Sequence, residues 1–254
     1  MKAASLTHLV NHANRMLEID AFEDYPGAVN GLQVENSGKV VRIAAAVDAS
    51  LATIQRAAAV SASLLVVHHG LFWSPAVPWT GTKYQLIRRL LEGDIAVYSV
   101  HLPLDAHPRL GNNALLARAL KLSRPQPFLP MKGRDIGIRG RLGISRSALL
   151  ERLRMAVGGG AVKLLACGPE RISSVGIVTG GAGGELKEAA AAGIDTYITG
   201  EGPHWTFPLA EELGVNVFYA GHYATETFGV KALAAELSTK FKVPWTFIDH
   251  PSGL

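Results

Sequence analysis

Short apolar runs of β-branched and aliphatic residues alternate along this chain with amphipathic segments of helical period, and the alternation is traversed twice. In the first half, residues 5–17 read as an amphipathic helix with Ser5 as its N-cap. Strands are expected at 30–34, 40–47, 64–67 and 95–100, and helices at 51–60, 84–91 and 112–120. In the second half Ser145 opens a helix to about residue 157. Strands follow at 162–166, 172–178, 195–199, 215–220 and 245–248, with helices at 185–192, 205–213 and 225–240. Each half therefore reads helix, strand, then three strand-helix units, the signature of an internal duplication. Strands joined by helices through short loops predict an α/β fold of two duplicated three-layer domains, 1–126 and 127–254, with mixed, mainly parallel sheets. Ligands in such sheets collect at the carboxyl ends of the strands, and the chemically unusual residues of this sequence lie there.

Composition narrows the classes. Apolar residues make up 48% and charged residues 18% of the 254 positions, as a globular core requires and a disordered chain does not. The longest apolar runs, such as 43–47 and 64–67, are too short to span a bilayer. The N-terminal stretch 1–16 has polar residues where a signal peptide needs a continuous apolar run. Cys167 is the single cysteine, which excludes an internal disulfide and reads as a small buried apolar residue. These features predict a cytoplasmic protein without a membrane partner. The net charge of +4 is uneven: residues 118–154 hold ten Lys or Arg against Asp135 and Glu151, so that segment is +8 and the remainder −4. A basic face of this kind meets phosphates or nucleic acid, or is a solvated surface. With Phe128 as its only aromatic residue, the segment lacks a base-stacking platform, and nucleic acid is the less favoured partner.

Three strand ends carry the candidate chemistry. The run Leu64-Leu65-Val66-Val67 terminates in His68-His69-Gly70. Adjacent side chains at a strand end diverge, so this pair suits two ions better than one. Val97-Tyr98-Ser99-Val100 leads to His101 and, four residues on, Asp105; Val217-Phe218-Tyr219-Ala220-Gly221 leads to His222 and, four residues on, Glu226. A helical turn between them would bring each histidine onto one face with its carboxylate. Imidazole nitrogen with carboxylate oxygen suits zinc, iron, manganese or nickel. Four histidines and two carboxylates exceed one tetrahedral ion with an open position and suffice for two divalent ions, with Glu226 bridging, Asp105 on one ion and His101 either a ligand or an orienting group. A lone strand-end histidine is usually structural. Three such features at equivalent topological places together favour a metal site.

At these residues the sequence resembles the dinuclear-metal hexameric proteins labelled GTP cyclohydrolase I type 2 homologues, or Nif-three-like proteins. The matching segments, in order, are Asn30-Gly31-Leu32-Gln33-Val34, Val67 to Trp73, His101 to Asp105, Gly111-Asn112-Asn113, Thr199-Gly200-Glu201 and Gly221 to Glu226. They span almost the whole chain, without a large insertion between the halves. The resemblance implies two intertwined α/β domains, a two-metal centre between them held by His68, His69, Asp105, His222 and Glu226, with His101 beside it, and a toroidal homohexamer.

Other residues carry two readings each. Glu201 is a candidate general acid or base, or a helix cap. His204 is a substrate contact or, more simply, a cap. Phe72 and Trp73 wall a pocket or pack in the core. The loop Thr179-Gly180-Gly181-Ala182-Gly183-Gly184 stands where a phosphate loop belongs but lacks the P-loop lysine, and reads better as a tight turn that leaves room for a neighbouring pocket. Asp48 reads as the cap of the helix that follows. The function expected is a metal-dependent hydrolase acting on a nucleotide or other phosphate-containing substrate. Its rival is a non-catalytic metal-binding or nucleic-acid-associated scaffold.

Overall fold

A computed structural model describes residues 3–73 and 77–254 of the chain. In chain order the elements are β1 (Ala4–Ser5), α1 (Leu6–Leu17), β2 (Gly31–Val34), β3 (Lys39–Val40), β4 (Ile43–Asp48), α2 (Leu51–Ala59), β5 (Leu64–His69), α3 (Gly81–Glu92), β6 (Ala96–Ser99) and α4 (Leu102–Asp105). They continue with α5 (Asn112–Ala119), β7 (Ser123–Met131), β8 (Arg134–Ser145), α6 (Arg146–Ala156), β9 (Lys163–Leu165), β10 (Arg171–Ile177), α7 (Leu186–Ala191), β11 (Thr196–Thr199), α8 (Thr206–Leu213), β12 (Asn216–Tyr219), α9 (His222–Phe241) and β13 (Trp245–Phe247). Among the described residues no helix is long and apolar enough to cross a membrane.

The chain forms two compact units: Met1–Leu104 with Gly229–His250, and Asp105–Phe228 with Pro251–Leu254. The expected division at 126/127 differs from this one for a physical reason. β13 pairs in parallel with β4, so the C-terminal segment belongs to the first sheet rather than the second.

The first unit has a five-stranded sheet in the order β13-β4-β5-β6-β2, parallel except for β2 at the edge. Its core joins Ile54 of α2 and Leu86 and Leu90 of α3 to Leu65, Val67 and Val97 of the strands. Fully burying side chains of this size contributes about 1.5–3 kcal/mol each. α2 is capped by Ser50, whose side chain accepts from Thr53 N–H while the Thr53 hydroxyl accepts from Ser50 N–H. The cap is therefore Ser50 and not Asp48, because the hydroxyl two residues later completes a capping box by itself.

The second unit has a six-stranded sheet in the order β7-β8-β10-β11-β12-β9. β10, β11 and β12 are parallel, and β9 runs antiparallel on β12. The orders β4-β5-β6-β2 and β10-β11-β12-β9 match strand for strand, which is the duplication in structural form. The long hairpin β7–β8, antiparallel to β10, falls in the basic segment where no strand was expected. Prolines and exposure on both faces hide the period-2 pattern of β7, whereas β8 carries one, with Ile138, Leu142 and Ile144 on the core side. The core packs Leu149 and Leu153 of α6 and Leu116 of α5 on Ile172, Ile177, Ile198 and Phe218. Cys167 is partly exposed rather than buried, in the irregular segment after β9.

Candidate metal centre

In the first unit β5 delivers His68 and His69 to one end of the sheet, and His101 follows β6. The three rings stand close, with centroids 4.8 Å apart for His68 and His69, 4.9 Å for His68 and His101 and 5.6 Å for His69 and His101. One ligand nitrogen from each lies within 4.8 Å of the other two. The divergence expected of the adjacent pair is thus small. His68 is drawn to one side by Val100 O, 2.9 Å from its Nδ1, and His69 by Asp48 Oδ1, 2.9 Å from its Nδ1 across the β4–β5 register. The Nδ1 of His101 lies 2.9 Å from Asp24 Oδ1. Carbonyl and carboxylate oxygens only accept, so each Nδ1 carries the hydrogen and each ring presents its Nε2 lone pair, the tautomer a cation requires.

Loop residues fix this geometry. Asp24 also accepts from Tyr25 N–H, Asn30 Nδ2 and Leu102 N–H, and Asn30 Oδ1 accepts from His101 N–H. Burial alone would raise the Asp24 pKa, but the hydrogen bonds from His101, Asn30 and Tyr25 outweigh it and hold the carboxyl below its ordinary range. The Gln33 amide clamps the turn after the histidine pair, donating to Ala28 O and Val29 O and accepting from Leu71 N–H. A Cβ on Gly70 would overlap that amide, which is why the turn holds glycine. Trp73 packs edge-on against His101 and His69, with centroids at 4.7 and 5.6 Å. Phe72 and Trp73 are 40% and 38% exposed, so neither packs in the core.

In the second unit the first turn of α9 carries His222 and Glu226. The His222 Nδ1 lies 2.7 Å from Glu201 Oε1, and its Nε2 lies 3.2 Å from Glu226 Oε1. The helix begins at His222 and not near residue 225, so the four-residue spacing is one helical turn, as a shared face requires. Burial disfavours a charged His222, but the two carboxylates prevail and push its pKa up to about 9. A proton on His222 is thus favoured between the two carboxylates. Glu226 is 3% exposed, and its carboxylate fills the space a Cβ on Gly180 would take. Gly180, at φ +72°, donates its N–H to Thr225 Oγ1, while its carbonyl accepts from Gly200 and Glu201 N–H. The glycine loop is therefore a tight turn that makes room for His222 and Glu226, as expected. Asp105, 7% exposed, accepts from Asn112 Nδ2 at 2.7 Å and from the Thr179 hydroxyl at 3.3 Å through Oδ1. His204 is exposed, and α8 has no side-chain cap, so the expected capping role is not seen.

The DUF34/NIF3 family profile (NGG1p interacting factor 3) matches residues 4–252. The chain belongs to the DUF34/NIF3 family. Among the relatives of this DUF34/NIF3 chain, the GTP cyclohydrolase 1 type 2 homolog of Deinococcus radiodurans is 44% identical, covering 97% of this chain and 93% of that protein. The protein of the same name from Halobacterium salinarum is 43% identical, over 98% and 99%. The crystal structure of TTHA1606 from Thermus thermophilus superposes with a TM-score of 0.90 at 38% identity, covering 99% of this chain and 100% of that one. The DUF34/NIF3 match spans both sheets and every histidine of the candidate centre.

Sequence reasoning missed Asp24 altogether and gave Asp48 another role. Asp24 sits in an aperiodic loop 77 residues from His101; nothing in its local pattern announces the pairing. The donor set itself, imidazoles and carboxylates without thiolate, fits a borderline divalent cation such as zinc, manganese, iron or nickel. Since second-sphere hydrogen bonds to ligating histidines are typically worth about 10–100-fold in metal affinity, Asp48→Ala should weaken metal binding by that order. The Asp48 side chain is 43% exposed, so the fold should survive. Competition against a chromophoric chelator measures this; unchanged affinity would remove Asp48 from the centre.

Proposed function

We propose that the chain is a divalent-metal hydrolase acting on a nucleotide or other phosphate-containing substrate, with His68, His69, Asp105, His222 and Glu226 as ligands of two ions and His101 assigned to the same centre. The observation that carries this reading is the set of imidazoles whose Nδ1 atoms are all committed to oxygen acceptors, Val100 O, Asp48, Asp24 and Glu201. At His68, His69 and His101 that arrangement turns Nε2 toward a cation, and at His222, whose Nε2 faces Glu226, a cation would take the place of the proton. Divalent cations bound there supply Lewis acidity and a water nucleophile at neutral pH.

The residues of the chain do the rest. Glu226 is assigned as the bridging carboxylate. Glu201, whose side chain is 44% exposed, holds the His222 ring and is the group assigned to carry protons between the centre and solvent. Trp73 and Tyr25, edge-on to His101, form an apolar wall beside the histidines that limits water access on that side. A homohexamer, as the resemblance implies, belongs to the same proposal. The relatives named GTP cyclohydrolase 1 type 2 homolog support a nucleotide as the first substrate class to screen.

Elemental analysis of the purified protein should return about two divalent ions per chain. The metal-loaded protein should hydrolyse at least one member of a panel of nucleotides and phosphoesters, and dialysis against a chelator should abolish that turnover. Light scattering should return the hexamer mass. A protein that binds no metal would end the reading. One that binds metal yet turns over nothing in the panel would leave a metal-binding protein without the hydrolase.

A further inference from the structure

A second concave site lies in the second unit, on the sheet face formed by β7, β8 and β10. It encloses about 290 Å³ and is lined by Arg124, Gln126, Arg139, Arg141, Ser174 and Gly193, among others. None of the candidate metal ligands lines it. Arg139 and Arg141, two apart on β8, project to one face. Register places Gln126 of β7 opposite Arg139, and Ser174 of β10 opposite Arg141. The β7 irregularity between Ser123 and Gln126 adds Arg124, whose φ of +52° re-aims the strand there.

The charge on this face is concentrated and preset. Arg139 Nη1 donates to Ala192 O at 3.2 Å and Nη2 to Gln126 Oε1 at 3.5 Å, which fixes the guanidinium and leaves it further N–H groups. Among the described residues no carboxylate lines the site. Asp195, bonded to the Ser174 backbone, spends its carboxylate on Ser173 N–H, the Ser173 hydroxyl, Ser174 N–H and the Thr196 hydroxyl. Three guanidiniums over a cavity of this size suit an anion of more than one charge, since the planar fork matches phosphate oxygens. A nucleic acid would need stacking surface, but the one aromatic of the basic segment, Phe128, is 3% exposed.

We propose that this pocket binds a small phosphorylated molecule through adjacent phosphoryl groups, with Arg124, Arg139 and Arg141 as its contacts. The inference requires no metal and goes beyond the hydrolase reading. It is tested by calorimetric titration of the full chain, pretreated with chelator, using inorganic pyrophosphate, inorganic phosphate and ADP at low salt. Pyrophosphate should bind more tightly than phosphate, and Arg139→Ala and the more exposed Arg141→Gln should each weaken it about tenfold or more, as the loss of a charge-assisted hydrogen bond implies. Arg154→Gln removes one positive charge on α6, where Arg154 pairs with Glu151, and should change affinity less than twofold. ADP binding more tightly than pyrophosphate would identify an organic phosphate, and equal binding an inorganic one; both support the site. The proposal is overturned if pyrophosphate does not bind, or if Arg154→Gln weakens it as much as the pocket variants. It is overturned too if binding is lost in Glu226→Ala but kept in Arg139→Ala, which would move the anion to the metal centre. Arginine-dependent binding of duplex DNA without pyrophosphate binding would make the face a nucleic-acid surface instead.

Discussion

A Glu226→Ala variant should be purified with at most half of the wild-type metal, and the metal it retains should be removed by a weak chelator that leaves the wild type loaded. Losing an orienting partner of a ligand costs about 10–100-fold in affinity, and losing a proposed bridging ligand touches both ions directly, so the effect should be larger. Glu226 is buried, and it stands one helical turn from His222 with the Gly180 backbone pressed against it. Metal that binds only the folded state stabilises it by RT ln(1 + [L]/Kd), about 4 kcal/mol at a thousandfold excess over Kd. Added metal should therefore raise the melting temperature of the wild type by many degrees and of Glu226→Ala by little, each measured against its own metal-free form. His69→Ala should behave alike. Full metal content in both variants would refute the ligand set.

The parts of the centre that the sequence announced are those whose signal is local. His68-His69-Gly70 ends an apolar run, and His222 with Glu226 shows the four-residue spacing that one helical turn converts into a 3.2 Å contact. The parallel strands were legible for the same reason: a strand buried on both faces reads as an unbroken apolar run, as in Ile43–Asp48 and Leu64–His69. What stayed hidden is nonlocal or lacks period. Asp24 and Asn30 meet His101 through loop geometry that no spacing rule encodes. Asp48 followed a strand and preceded a helix, so a cap was the economical expectation until Ser50 was seen to fill that place. The hairpin β7–β8 escaped because β7 is proline-rich and exposed on both faces, and because glycines and arginines interrupt the inward row Ile138, Leu142 and Ile144 of β8. The unit boundary escaped because β13 returns to pair with β4, a choice made by sheet-edge pairing and not by anything near residue 126.

Asn113→Ala should cost the second unit about 3–5 kcal/mol, one of the largest losses available to a single polar substitution. The side chain is fully buried. Its Nδ2 donates to Ile136 O at 2.7 Å and to Asp105 O at 3.2 Å, and its Oδ1 accepts from Thr179 N–H at 2.8 Å. Truncation strands three backbone groups, each at about 1–3 kcal/mol, and opens a cavity besides. At roughly 2–4 °C per kcal/mol for a chain of this size, the melting temperature should fall by about 6–20 °C. Asn113→Asp separates hydrogen bonding from packing. It keeps the shape and the acceptor for Thr179 N–H, but a carboxylate cannot donate to two carbonyls and meets their oxygens with like charge, so it should lose nearly as much as Asn113→Ala. The consequence reaches the centre, because the same amide ties the Asp105 turn to the strand residue Ile136 and to Thr179, the residue before Gly180. Metal retention should therefore fall in parallel with stability. An Asn113→Asp protein as stable as the wild type would show that this side chain fills space and nothing more.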